Sequence, residues 1–225
     1  KTLYSCNDMV SVDRAIATAH GLERYIDAQA GGPGKGWLRV VDSPAAAREV
    51  INAGKLAMVL GIEISNLFDC FLTPPKGMKA CTEASLRATL DDYQSRGVRA
   101  IFPVHKYDNA FSPGDGQGGV IELGNFINSG HYSNFVQDCP GPASPFDGGE
   151  VTFGGLNKPR DVYDSPPPHD FSGFATNLMA TLAPFLGRVQ APALQGDYCQ
   201  KHGLTPLGET LMNELMKRGM LIDVA

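Results

Sequence analysis

Leu56-Ala57-Met58-Val59-Leu60-Gly61-Ile62-Glu63 is the stretch on which the fold turns. Residues 56–62 carry no charge and no polar alternation, the pattern of a strand covered on both faces in a parallel sheet. A carboxylate, Glu63, ends the run. Upstream, Ser43-Pro44 predicts a helix start, with Ser as N-cap and Pro at the first helical position, and Gly54 stops it. Before that, Trp37-Leu38-Arg39-Val40-Val41 reads as a short strand. Residues 13–30 read as a helix, with Ile16, Leu22, Tyr25 and Ile26 at roughly helical spacing and Gly31-Gly32-Pro33-Gly34 as its stop.

Downstream the same unit recurs. Thr82, with Glu83 behind it, starts a helix through Leu86, Leu90 and Tyr93 to Gly97, and Val98-Arg99-Ala100-Ile101-Phe102 is the next strand. Thr205-Pro206 opens another helix with Leu207, Leu211, Leu215 and Met216 on one face. Gly219 closes it, and Met220-Leu221-Ile222-Asp223-Val224 is a last strand. Helix, glycine, buried strand and polar residue alternate, which predicts βα units and a parallel sheet, either doubly wound or closed into a barrel. From Pro103 to Gly203 the pattern gives way to Gly, Pro, Asn and Asp, with one helix expected near 171–186. A connection this long usually covers or shapes a site. Phe126, Ile127, Tyr132, Phe135 and Phe153 are available to pack it down. No repeat or linker is visible, so 1–225 reads as a single domain with an insertion over about 106–202.

Composition narrows the function. The chain is 43% hydrophobic and 19% charged, ordinary for a globular protein, with a net charge of −5. No run of adjacent Lys or Arg builds the basic face that nucleic-acid binding needs. No apolar run approaches the roughly 18 residues of a transmembrane helix. Lys1-Thr2-Leu3-Tyr4-Ser5 has no apolar signal region, so the mature chain starts here or a segment was removed. Cys6, Cys70, Cys81, Cys139 and Cys199 contain no CxxC pair, which argues against a zinc ribbon or a thioredoxin-like site. Loop cysteines suit disulfides in an oxidising compartment, which favours a secreted or periplasmic protein over the alternative of free thiols in a cytosolic one. Cys70 and Cys81 bracket Thr73-Pro74-Pro75-Lys76-Gly77, a short loop to close, so a Cys70–Cys81 bond is expected, and after it Cys139–Cys199. The odd count leaves one cysteine without a partner.

Polar residues at the carboxyl ends of parallel strands line active sites. That rule selects Glu63 after the 56–62 run, His105 just past the 98–102 strand, and the cluster Lys106, Tyr107, Asp108 and Asn109; Asp223 lies inside the last strand. The bland alternatives are a salt-bridged strand-end carboxylate for Glu63 and a hydrogen-bonded loop histidine for His105. His20, His131, His169 and His202 have no such placement and read as structural. Gly31-Gly32-Pro33-Gly34-Lys35-Gly36 follows a helix and lacks the Ser/Thr of a phosphate-binding loop, so it reads as a turn. No Gly-x-Ser-x-Gly nucleophile motif occurs.

Three segments resemble a known family. The sequence from Gly203-Leu204-Thr205-Pro206-Leu207-Gly208 to Glu214-Leu215-Met216-Lys217-Arg218-Gly219-Met220-Leu221-Ile222-Asp223-Val224-Ala225 is similar to the membrane dipeptidase family of zinc peptidases, within the amidohydrolase superfamily. Val59-Leu60-Gly61-Ile62-Glu63 resembles that family's strand carrying the bridging metal carboxylate. Gly97-Val98-Arg99-Ala100-Ile101-Phe102-Pro103-Val104-His105 resembles the strand whose terminal histidine contacts substrate. They occur in the family's order, over roughly 45–109 and 203–225.

The resemblance implies a (β/α)8 TIM-type barrel hydrolysing small peptides with two Zn²⁺ ions. Glu63 would bridge the ions, and metal-activated water would attack a polarised carbonyl. His105 would bind substrate and the tetrahedral oxyanion, with Asn109 beside it as a substrate contact. The departures are as informative. No His-x-Asp pair occurs, the ligand histidine expected after residues 220–225 is absent, and so are the later histidine and aspartate. One shared carboxylate does not make a zinc site. The stretch after His105 is also longer than the family has there. The expectation is therefore a partial barrel, about its second to fifth strands, holding no zinc alone and associating with the rest of its own barrel or with itself. A rival from another class is a non-catalytic binding module that borrowed this fold and lost its metals. A nucleotide-binding doubly wound domain is weaker, because no glycine fingerprint follows a strand.

Overall fold

Asn7 accepts the Val10 N–H on its side-chain oxygen at 3.0 Å, and this cap begins the first helix ahead of the start expected at residue 13. The computed structural model describes residues 7–74, 77–114, 124–125, 128, 135–136, 199–200 and 203–224. In chain order the elements are α1 (Asp8–Gln29), β1 (Leu38–Val40), α2 (Pro44–Asn52), β2 (Leu56–Met58), β3 (Leu60–Glu63) and α3 (Glu83–Ser95). Then follow β4 (Val98–Phe102), β5 (Phe135–Val136), β6 (Cys199–Gln200), α4 (Pro206–Lys217) and β7 (Leu221–Ile222). The helix expected near 171–186, the Cys139–Cys199 pairing, and His131, His169 and His202 lie outside the described residues.

Where the sequence reads as one domain with an insertion, the described residues group into two compact units. One draws on 1–63, 83–103 and 211–225, the other on 64–82 and 104–210. The first unit is α/β with parallel strands. β1 pairs with β2, β3 with β4, and β4 with β7, all in parallel. Ser43 caps α2 as expected, its hydroxyl accepting the Ala46 N–H at 3.2 Å. Gly54, Gly97 and Gly219, the expected helix stops, take φ of 71°, 95° and 61°, a region that favours glycine. Leu90, Val98, Ile101, Leu211 and Leu215 are fully buried, each contributing about 1.5–3 kcal/mol of apolar transfer.

The 56–62 run is not one doubly covered strand. Val59 separates β2 from β3, which belong to different sheets, and Leu56 and Val59 are 53% and 50% exposed. β3 alternates, with Leu60 and Ile62 buried and Gly61 and Glu63 exposed. Exposed Val59 and Gly61 carry no polar side chain, which erases within 56–62 the alternation by which a one-sided strand is recognised. Likewise Ile16 and Ile26 of α1 are buried with Met9, whereas Leu22 and Tyr25 are exposed.

Ion pairs brace the helices of this unit. Asp13 on α1 accepts from the Tyr93 hydroxyl at 3.0 Å and pairs with Arg96 at 2.8 Å. Loss of water and the Asp13 carboxylate push the Tyr93 phenol up to about 12. Glu214 on α4 receives Arg218, Lys217 at 2.9 Å and Arg87 of α3 at 3.2 Å. These cations, Arg218 foremost, hold its carboxyl down at about 2.

Candidate functional site

The parallel register brings acidic residues to one end of the sheet. Glu63 closes β3 opposite Phe102 of β4. On the other side of β4, the Asp223 N–H donates to the Ile101 carbonyl at 2.9 Å, so Asp223 stands just past β7. The register of β3 shifts between Leu60 and Gly61, an irregularity of the kind that re-aims a side chain near a site. Gly61 lies opposite Ala100, where a Cβ on the glycine would meet the alanine methyl at 3.3 Å. Glu63 shares its exposed face with Gly61, opposite to buried Leu60 and Ile62. Glu63 is thus an exposed carboxylate at a strand end, on one face with Gly61, which pairs with the small Ala100 of β4.

His105 and Asn109 belong to the second unit. His105 is half-buried, and Asp108 and Asn109 are fully buried. The Asn109 side chain organises the loop. Its amide donates to the Ser65 carbonyl at 3.0 Å, and its oxygen accepts the Phe111 and Ser112 N–H groups at 2.8 and 3.1 Å. Its own N–H donates to the Ser112 carbonyl at 3.1 Å. Asp108 accepts the Gly114 N–H at 2.7 Å, while its backbone N–H donates to the Asn125 side chain at 2.8 Å. Beside His105, the Lys106 N–H reaches the Ser65 hydroxyl at 3.4 Å. Asn109 thus sits under the loop as a brace, tying the segment after β3 to the segment after β4. Ser65 and Asn125 escape a sequence reading, because nothing local signals a partner so far along the chain.

Cys70 and Cys81 form the expected disulfide, with Cα atoms 5.4 Å apart. Phe68 and Asp69, just before Cys70, take left-handed φ of 59° and 56°, each costing about 1–2 kcal/mol for a residue with a side chain. Phe68 nevertheless meets Phe111 edge to face at 6.5 Å between ring centres. The Ala110 N–H donates to the Cys70 carbonyl at 2.9 Å, and Phe71 bridges Asn109 antiparallel.

The glycine turn after α1 is built around Asp27, whose carboxylate accepts the Gly34 and Gly36 N–H groups at 2.9 and 2.8 Å and pairs with Arg39 at 2.6 Å. These donors, the Gly34 amide foremost, lower its carboxyl to about 2. A loop whose N–H groups face its own carboxylate does not offer them to a phosphate, in keeping with the turn expected there. His20 contacts the Arg96 carbonyl at 3.0 Å through Nε2. Among the described residues, no three of His, Cys, Asp and Glu converge as a metal would require, and no helix is long and apolar enough to cross a membrane. Comparison of the chain with protein-family models, with curated proteins and with solved structures finds no match.

Proposed function

We propose that this chain contributes a run of strands to a (β/α)8 metallohydrolase barrel of the dipeptidase type, which cleaves small peptides. The observation that carries the reading is the strand order. β1 pairs with β2, β3 follows β2 after one residue, β3 pairs with β4, and β4 pairs with β7. Within each parallel sheet the strands therefore lie in chain order, β1-β2 in one and β3-β4-β7 in the other, and among the described strands none shows the reversal that marks a doubly wound sheet. Sequential parallel pairing is the barrel's pattern, and its active residues stand at carboxyl ends of strands, where Glu63 and Asp223 lie.

In this reading Glu63 is the chain's metal-bridging carboxylate and His105 hydrogen-bonds substrate. The described residues do not fit a two-zinc centre by themselves, since one shared carboxylate lacks the nitrogen ligands zinc takes. The remaining ligands would come from the other strands of the complete barrel, and zinc there would supply the activated water. The Cys70–Cys81 disulfide supports a secreted or periplasmic setting.

The test is Glu63→Gln in the full polypeptide, which keeps the side chain's size and removes its charge. Bound zinc and dipeptide hydrolysis are expected to fall together. Unaltered zinc content and rate overturn the assignment. A full polypeptide that binds peptides with no zinc and no turnover favours the rival binding module instead.

A further inference from the structure

We propose that the Cys70–Cys81 disulfide is a redox latch on the loop after β4. Closed, it holds residues 104–112 in the braced arrangement; opened by a dithiol, it frees that loop while the parallel sheet stays folded. The proposal does not depend on the hydrolase reading.

Two consecutive non-glycine residues in the left-handed region persist only where their surroundings hold them, and Phe68 and Asp69 directly precede Cys70. Whatever holds 68–71 also holds 109–111. The Cys70 carbonyl takes the Ala110 N–H at 2.9 Å, Phe71 bridges Asn109, and the Phe68 ring meets Phe111 at 6.5 Å. The disulfide is the covalent anchor of this segment, fastening Cys70 to a residue 11 positions on. Its two sulfurs differ in access, since Cys70 is 1% exposed whereas Cys81 is half-buried. A thiolate therefore attacks at Cys81. The S–S bond breaks, Cys70 leaves as a thiolate and takes up a proton. The second thiol of the dithiol then attacks the mixed disulfide, releasing Cys81 as a thiol and the reagent as its own disulfide. Two electrons pass from the dithiol to the protein, and the freed 68–71 segment relaxes towards ordinary φ, withdrawing the Cys70 carbonyl from Ala110.

Amide hydrogen exchange on the full chain, oxidised and after dithiothreitol, tests this directly. Exchange at Ala110, Phe111 and Ser112 is expected to rise about tenfold or more on reduction, to reverse on reoxidation, and to leave residues 98–102 unchanged. Because the reagent also meets Cys6, Cys139 and Cys199, untreated C70A/C81A must show the same local rise. Unchanged protection at 110–112 overturns the latch. An equal rise across 98–102 also overturns it, since the bond would then be a staple for the whole chain.

Discussion

At the scale of single residues, the polar groups after the strands divide by burial. Glu63 remains at an exposed strand end, whereas Asn109 is fully buried and binds backbone on both sides of its amide. Asn109→Ala leaves the Ser65 carbonyl and the Phe111 and Ser112 N–H groups without this partner, and each buried group so stranded costs about 1–3 kcal/mol. The expected outcome is a lower urea midpoint and lost protection at Phe111 and Ser112. An unchanged midpoint would mean the brace is not structural. Charge acts at this scale too. Glu214, with a carboxyl at about 2 when folded against an ordinary 4.5, binds protons less readily in the native state. Its contribution is therefore complete above the ordinary value and is lost as pH falls towards 2. Glu214→Gln is expected to lower stability at about pH 7 and to narrow the gap between about pH 7 and about pH 3 in urea unfolding. A variant whose gap equals that of the parent would remove Glu214 from the acid response.

At the scale of elements, caps and stops were legible because they act within one turn. Ser43 and Thr205 cap the helices they announce, and the Thr205 hydroxyl accepts the Gly208 N–H at 3.0 Å. The same hydroxyl donates to the Ala110 carbonyl at 2.6 Å, which no local pattern signals. Gly208 shows a similar double use. It lies in a helix where alanine would be favoured by propensity, yet a Cβ there would overlap the Phe111 carbonyl oxygen. Gly208→Ala is thus expected to destabilise by about 3 kcal/mol or more, since backbone has to move. Thermal unfolding would show it, and a stabilised variant would mean that α4 does not start against this loop. Strand length matters as well: residues 98–102 form β4 with the bounds expected, whereas the longer apolar run breaks at Val59. Periodicity reports apolar content, and that content is shared by buried strands and by open faces lined with apolar residues.

At the scale of the whole molecule, the first unit carries large apolar side chains that its own packing leaves uncovered. Trp37, Leu56, Val59 and Leu221 are 58%, 53%, 50% and 64% exposed. Exposed apolar side chains of this size favour association where they adjoin one another. Residues 1–225 produced alone are expected to self-associate with rising concentration, to bind zinc no better than a generic surface carboxylate, and to show no dipeptidase activity. Sedimentation, metal content and peptide hydrolysis check this together. A well-behaved monomer that turns over dipeptides would overturn both the barrel reading and the site.

The alternation of helix and parallel strand, the helix ends at Ser43, Gly54, Gly97 and Gly219, and the Cys70–Cys81 bond were determined by the sequence alone. Each depends on interactions within a few residues or on one short loop, so local chemistry suffices. Tertiary structure alone decided that the 56–62 run serves two sheets, that Glu63 stays exposed while Asn109 is buried, and that Ser65, Asn125 and Thr205 brace the same loop. Those outcomes rest on hydrogen bonds and registers between residues distant along the chain, and such partners exist only once the chain has folded.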